Sequence, residues 1–200
     1  YESGSIFLQN DGDIYEITAN NNYILIGSFT PASSGNNNLT GGVQNGTEFL
    51  FSRVDNELFR SLDGGVTWSY QGDLPTGTFM SNSMNSSNID PNKVAIGSVD
   101  AYESSDGGQN WNLINNWWQY YGNPAIFLHA DIPEIRYFID ENGNEFQLIS
   151  TDGGIYISDD YLNSVQNLSL NGLGVSQYYS TYTSRFDTYH IYVGSQDQGF

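Results

Sequence analysis

Cysteine is absent from the 200-residue sequence. Disulfide bonds, cysteine-ligated metals and thiol nucleophiles are therefore excluded. Positive charge is scarce, because 5 Lys and Arg residues stand against 23 Asp and Glu residues, and the formal net charge is -18 at pH 7. Phosphate backbones and anionic lipid surfaces repel so acidic a chain. We therefore expect neither nucleic-acid binding nor direct membrane insertion.

Long apolar runs are also missing. No run approaches the roughly 18 residues that a transmembrane helix requires. The sequence starts at Tyr1 without a signal peptide, and it stops at Phe200 inside a repeated pattern. We therefore expect the chain to be a processed segment of a longer protein.

The residues that are abundant favour short strands and tight turns. Aromatic residues make up 15% of the sequence, most of them Tyr, and 22 residues are Gly. A pattern led by Asp recurs at intervals of about 45 residues, which is the spacing of β-propeller blades. The pattern starts at Asp11, Asp55, Asp100, Asp152 and Asp197. The sequence therefore predicts an all-β fold of four-stranded antiparallel propeller blades.

Two segments share a motif that reads Ser-x-Asp-Gly-Gly-x-(Thr/Asn)-Trp. Its residues are Ser61, Asp63, Gly65, Thr67 and Trp68 in one copy, and Ser104, Asp106, Gly108 and Trp111 in the other. A third copy keeps Ser158 and Asp160 but lacks Gly and Trp, so we interpret it as degenerate. Asp and Ser side chains can bond backbone N–H groups across a tight hairpin, and Gly permits a positive φ. We assign these residues a structural role and predict that both Trp side chains are largely buried.

Strand positions follow from the motif. We predict repeats at about 1–30, 31–76, 77–122 and 123–175, with a further blade starting in 176–200. The third repeat has strands A to D at 79–89, 94–98, 101–104 and 110–114. The fourth has them at 126–139, 146–150, 154–158 and 166–170. A meander of this kind places the A–B and C–D turns on one face and the B–C and D–A connections on the other.

The motif closely resembles the Asp-box of BNR-type repeats. From about residue 45 onward, the chain also resembles sortilin-like propellers, xyloglucan-active glycoside hydrolases and exported bacterial repeat proteins related to photosystem II assembly factors. The resembling segments are 129–131, 152–156, 172–179 and 194–199. The resemblance implies an incomplete part of a ring of seven or more blades. It also implies an exported bacterial protein, extracellular or on the cell surface, which could be cargo of a type IX secretion route.

The candidate ligand face carries the B–C turns and the D–A connections. Its residues are Trp117, Trp118, Tyr120, Tyr121, His129, Asp131, Asp152 and Asp197. The aromatic residues could form a platform for sugar stacking, or a loop folded onto the neighbouring blade. His129 and Asp131 alternate on the predicted strand A. They could hold a metal or exchange protons together with Asp152, or form hydrogen bonds that fix the channel mouth, which we favour.

The sequence favours a binding module over an enzyme. The catalytic Asp motifs of the xyloglucan-active enzymes are not recognisable, so we assign no catalytic residue. No cofactor is expected, although Asp11, Asp13 and Glu16 leave Ca²⁺ open as an alternative to solvated turn residues. The expected partner is a protein or glycan ligand, with secretion machinery as a further candidate. The alternative function is that of a polysaccharide-active glycoside hydrolase.

Overall fold

The computed structural model describes residues 5–18, 22–75, 83–172, 180–187 and 189–194. Regular structure in these ranges is almost entirely β-strand. The helices found there are two short 3₁₀ segments, Trp117–Tyr121 and Ser169–Asn171. None of the helices in these ranges has the length and apolar character needed to cross a membrane.

The described strands form antiparallel sheets that follow chain order. The first sheet contains β1 (Ile6–Asn10), β2 (Asp13–Ile17) and β3 (Tyr23–Ser28). The second contains β4 (Asn37–Gln44), β5 (Thr47–Val54), β6 (Glu57–Ser61) and β7 (Ser69–Asp73). The third contains β8 (Asn85–Ser86), β9 (Val94–Gly97), β10 (Ala101–Ser104) and β11 (Asn112–Asn115). The fourth contains β12 (Glu134–Ile139), β13 (Glu145–Thr151), β14 (Gly154–Ser158) and β15 (Gln166–Asn167). The last is the pair β16 (Ser180–Thr183) and β17 (Ile191–Gly194).

The second, third and fourth sheets are four-stranded meanders, and their strands are called A to D in chain order. Each strand pairs with the next one along the chain. This arrangement confirms the predicted four-stranded antiparallel blade. The A strands of neighbouring sheets contact each other, because the Thr40 and Ser86 hydroxyls lie 3.2 Å apart and the Tyr137 N–H donates to Asn85 Oδ1 at 3.2 Å. The A strands therefore line the inner edge of the array of sheets.

The predicted strand A of the fourth sheet is too long. We predicted it at 126–139, but β12 begins only at Glu134. Asp131 has a φ of 59°, and Pro133 follows without an N–H to donate, so the chain cannot continue as a strand through these residues. Strand D of this sheet, predicted at 166–170, also ends early. It stops at Asn167, and a 3₁₀ turn begins at Ser169. The strand A predicted at 79–89 lies partly outside the described residues, and within its described part, 83–89, only Asn85–Ser86 form a strand.

The hydrophobic core lies between consecutive sheets. One cluster joins the second and third sheets and consists of Phe49, Phe51, Leu58, Leu74, Met84, Val94 and Ile96. Another joins the third and fourth sheets and includes Ala95, Ala101, Leu128, Ile135, Ile149 and Tyr156. Val94 and Ile96 face one neighbour while Ala95 faces the other, as the alternation of a strand requires. Each of these sheets is therefore stabilised by burial against the next.

A buried carboxylate also joins the third and fourth sheets. Glu145, at the start of β13, is only 6% exposed. Its carboxylate accepts hydrogen bonds from the Ser87 hydroxyl at 2.6 Å, the Asn88 N–H at 2.6 Å and the Asn88 side-chain amide at 3.0 Å. Hydrogen bonds to an ionised group are stronger than neutral ones, so this contact fixes the two sheets against each other.

Turns of different kinds occupy opposite faces. The Gly107 N–H in a C–D turn donates to Asn92 O in the adjoining A–B turn at 2.9 Å. We call this side the hairpin face, and it carries residues 61–68, 104–111 and 158–164. On the opposite side, the Ile132 N–H in a D–A connection donates to Ser98 O in a B–C turn at 2.7 Å. We call that side the loop face, and in the third and fourth sheets it consists of residues 98–100, 116–133 and 151–153.

Candidate functional site

The hairpin after β6 is held by its own side chains. The Ser61 hydroxyl donates to Asp63 Oδ1 at 2.7 Å and accepts the Gly65 N–H at 2.9 Å. Asp63 also accepts the Thr67 N–H at 2.9 Å and the Thr67 hydroxyl at 2.5 Å. Gly64 and Gly65 have φ values of 72° and 91°, which glycine adopts without steric cost. These contacts support a structural role for the motif.

The hairpin after β10 repeats this arrangement. The Ser104 hydroxyl donates to Asp106 Oδ1 at 2.9 Å and accepts the Gly108 N–H at 2.8 Å. Asp106 accepts the Asn110 N–H at 2.9 Å and the Asn110 side-chain amide at 2.7 Å. Burial alone would raise the pKa of Asp106, but the hydrogen bonds from Asn110 and Ser104 outweigh it and lower that pKa. The carboxylate therefore stays ionised and acts as an acceptor within the turn.

The third copy of the motif is complete in structure, although we interpreted it as degenerate. Asp160 accepts the Ser158 hydroxyl at 2.9 Å, and it accepts the Ser164 N–H at 2.9 Å and hydroxyl at 2.7 Å. Tyr161 and Leu162 occupy the positions of the two glycines and have φ values of 57° and 67°. A non-glycine residue in this region costs roughly 1–3 kcal/mol. The side-chain hydrogen bonds and the burial of Leu162 offset that cost.

The Trp residues of the motif are partly buried. Trp68 donates from its indole N–H to Gly65 O at 2.8 Å, and its ring lies 5.0 Å from that of Phe29. Trp111 packs against the core between the second and third sheets. Both residues lead into the outermost strand of a sheet.

The loop face presents an aromatic segment to solvent. The D–A connection of the third sheet opens with the 3₁₀ helix Trp117–Tyr121, in which the Asn116 N–H donates to Gln119 Oε1 at 2.8 Å. Trp117, Trp118 and Tyr121 are 37%, 55% and 64% exposed. The loop itself is folded onto the next sheet, because Leu128 and Ile132 belong to the core that the third and fourth sheets share. Of the four aromatic side chains, only Tyr120 is half-buried.

The backbone of this connection is fixed at three points. Asp100 Oδ1 accepts the Trp117 N–H at 2.8 Å. The buried Asn115 side chain accepts the Leu128 N–H at 3.0 Å and donates to Leu128 O at 3.1 Å. Pro124 O accepts hydrogen bonds from the Tyr156 hydroxyl at 3.2 Å and from the Asn167 side-chain amide at 3.0 Å. The aromatic side chains are thus held on an ordered support.

His129 supports the aromatic segment from below. Its side chain is 3% exposed and does not alternate with Asp131 on a strand, because both residues precede β12. The imidazole Nδ1 lies 3.2 Å from Ala130 O, and Nε2 lies 3.4 Å from the Tyr121 hydroxyl. The Ala130 carbonyl can only accept, so Nδ1 is the donor in the first contact. The imidazole also meets the Tyr120 ring edge-to-face at 4.5 Å.

The metal hypothesis for His129, Asp131 and Asp152 is not supported by the geometry. Within the described ranges, no group of three or more His, Asp or Glu residues is arranged to hold a metal ion. The backbone does bring these segments together, because the Asp152 N–H donates to Ala130 O at 3.4 Å. Both carboxylate residues are half-buried on the loop face. Asp197 lies outside the described residues.

The supporting roles of three residues are not evident from the sequence. Asn115 bonds Leu128, and no local pattern reveals this contact. Asp100 belongs to the recurring Asp pattern, but that pattern does not reveal its contact with Trp117. Gly153 is the third: a Cβ built there would lie 2.5 Å from the His129 Cβ and 2.9 Å from Tyr120 Cε2. Only glycine fits under this part of the aromatic segment. The Asp-Gly-Gly run at 152–154 is the one sequence signal that marks the position.

Comparisons with known proteins address the fold. No protein-family model matches the chain, and no curated protein matches it. Among solved structures, the GH74 enzyme of Niastella koreensis aligns with 98% of this chain at 15% identity and a TM-score of 0.51. The GH74 xyloglucanase from Xanthomonas campestris aligns with 80% at 15% identity and a TM-score of 0.46. An extracellular domain from B. thetaiotaomicron aligns with 96% at 14% identity and a TM-score of 0.45.

The chain spans 32%, 29% and 25% of the lengths of these three proteins. Identity of 15% shows the fold alone, and only the first alignment is close enough in shape to support it. That alignment agrees with the meandering four-stranded sheets and with the cores between them. The chain forms part of a β-propeller.

Proposed function

We propose that the protein is a binding module whose loop face recognises a protein or glycan ligand. The observation that carries the proposal is the contrast between backbone and side chains in the D–A connection 116–133. Its backbone is fixed by Asp100, Asn115 and Asn167, whereas Trp117 and Trp118 stay exposed. Exposed Trp on an ordered support is typical of binding surfaces, because little side-chain freedom is lost when a ligand covers it.

The hairpin face is a poor competitor for this role. Its three motif turns use their Ser and Asp side chains on their own backbone, so few polar groups remain to recognise a ligand. The turns are also short and alike, which leaves little variable surface. Loops of differing length and composition more often carry function on a repeated scaffold. The loop face provides that variety.

A paired-variant binding experiment tests the proposal. Trp117→Ala/Trp118→Ala removes both exposed rings, and the matched control Leu62→Ala/Val66→Ala removes two apolar side chains that are 52% and 56% exposed on the hairpin face. Both variants and the parent chain are applied to a glycan array and to a pull-down from the source organism's extracellular fraction. We expect the Trp variant to lose a ligand that the parent and the control retain. Loss in the control alone would mean that the faces are assigned backwards.

We further propose that the chain is an Asp-box protein of the sortilin-like group and acts outside the cytoplasm. The three motif hairpins and the acidic composition support this proposal, and the resemblance to exported repeat proteins supports passage through a type IX secretion route, with secretion machinery as a partner. Protease treatment of intact cells tests the location. Degradation of the protein while cytoplasmic markers survive is expected. Full protection until the cells are lysed would contradict an extracellular or cell-surface location.

A further inference from the structure

The exposed rings of the loop face do not form a flat surface. Trp117 and Trp118 have ring centroids 6.0 Å apart and planes inclined at 84°, and Trp117 and Tyr121 are 6.2 Å apart at 82°. A glycan chain stacks on faces that point the same way. Rings at right angles instead form a corner, and the exposure of Trp118 and Tyr121 leaves part of its aromatic surface open to a compact group.

The charge around this corner has one sign. The loop-face segments 98–100, 116–133 and 151–153 contain Asp100, Asp131 and Asp152 but neither Lys nor Arg. The Asp100 carboxylate lies beside the corner, because its Oδ1 accepts the Trp117 backbone N–H at 2.8 Å. The whole chain carries a formal charge of -18, so the surrounding field reinforces the local one. An acidic ligand is therefore disfavoured here.

Aromatic faces attract cations through the ring quadrupole, and Trp does so best. A cation at the corner would meet ring faces and stay within reach of a carboxylate. We propose that the corner formed by Trp117, Trp118, Tyr121 and Asp100 binds a Lys or Arg side chain from an extended segment of a partner protein. This inference rests on the proposed function, and it specifies the ligand as a cationic peptide rather than a glycan.

A titration with short labelled peptides tests the inference on the full chain. The probe is a Gly-spaced peptide with four lysines, and the comparison probes are the same peptide with acetyl-lysine, the same with glutamate, and a neutral β-glucan oligosaccharide. We expect only the lysine peptide to bind. Trp117→Leu/Trp118→Leu should weaken it about three- to thirty-fold, the range expected when cation–π contacts are removed.

Charge variants separate a built site from general attraction between a polycation and an acidic protein. Asp100→Asn keeps an oxygen to accept the Trp117 N–H but removes the charge at the corner. Glu141→Gln removes one charge at an exposed position in the turn between β12 and β13, on the opposite face. We expect Asp100→Asn to weaken the lysine peptide several-fold and Glu141→Gln to leave it nearly unchanged. Equal effects of the two variants, or none from the Trp variant, would overturn the inference.

The remaining outcomes distinguish failure of the cationic ligand from failure of the proposed binding face. Binding of the oligosaccharide through the Trp residues would overturn the cationic ligand while leaving the proposed binding face intact. Binding of neither probe class would overturn the cationic ligand as well, and the array and pull-down then decide the proposed function separately. Thermal unfolding of each variant confirms that lost binding does not reflect lost structure.

Discussion

The hairpin at 158–164 offers a matched pair of substitutions, because two Asp residues stand side by side in it. Asp160 accepts three hydrogen bonds, from the Ser158 hydroxyl and from the N–H and hydroxyl of Ser164. Asp159 is an exposed neighbour with the same charge. Replacing either residue with Ala removes one negative charge from the same turn. Only Asp160→Ala also removes the hydrogen bonds.

The magnitude follows from those bonds. A net hydrogen bond contributes roughly 0.5–1.5 kcal/mol, and bonds to a charged group lie toward the upper end. Two of the three bonds are exposed, so water replaces part of what is lost. We expect Asp160→Ala to lower the free energy of unfolding by about 1–3 kcal/mol and Asp159→Ala by less than about 0.5 kcal/mol. Tyr161 and Leu162 have positive φ values, and the bonds to Asp160 help to hold them in that conformation. Their loss therefore favours the upper part of the range for the free energy of unfolding.

Urea unfolding of the full chain, followed by circular dichroism, measures the difference. The slope of the transition should stay constant while the midpoint moves for Asp160→Ala. Burial would raise the pKa of Asp160, but the Ser164 and Ser158 hydrogen bonds lower it overall. Because the folded pKa lies below the unfolded value, this carboxylate stabilises the fold above roughly pH 4, and the contribution is lost as pH falls through the folded pKa. The two variants should therefore converge at low pH. Equal stability of both variants at pH 7 would refute a structural role for the motif Asp.

Three further substitutions test the contacts around the loop face and between the sheets. Gly153→Ala should displace Tyr120 and weaken ligand binding, because no space exists for a Cβ; a crystal structure or ligand titration of the variant checks this. Asn115→Ala should lower the free energy of unfolding by about 1–3 kcal/mol and speed hydrogen exchange in 116–133, since it leaves buried backbone groups without their partner. Glu145→Ala should lower the free energy of unfolding by about 2–4 kcal/mol, because the buried Ser87 hydroxyl and the Asn88 amide groups lose their carboxylate acceptor. An unchanged midpoint of urea unfolding would contradict this.

The two glycine-containing hairpins and the four-stranded meander are predictable from the sequence, because their determinants lie within short segments. Ser61, Asp63 and the following glycines specify a turn through bonds to their own backbone. The completeness of the third hairpin is not predictable in this way. It depends on the burial of Leu162 in the core between two sheets, which outweighs the local preference for glycine.

The course of the D–A connection is the other feature that the sequence does not predict. Periodicity alone extends strand A back to residue 126, whereas the structure starts β12 at Glu134. Residues 116–133 take their path from contacts with Asp100, Asn115 and Asn167, which belong to other turns and strands. The aromatic composition of the segment leaves an exposed platform and packing on the next blade as alternatives. Its ring geometry and its support come only from tertiary structure.

Hydrogen–deuterium exchange of the full chain, with and without its captured ligand, tests the binding face most directly. We predict that the ligand slows exchange in residues 98–100 and 116–133 of the loop face. The hairpins at 61–68, 104–111 and 158–164 should exchange at the same rate in both states. Protection confined to those hairpins, with no change in 116–133, would contradict the assignment of the loop face as the binding surface.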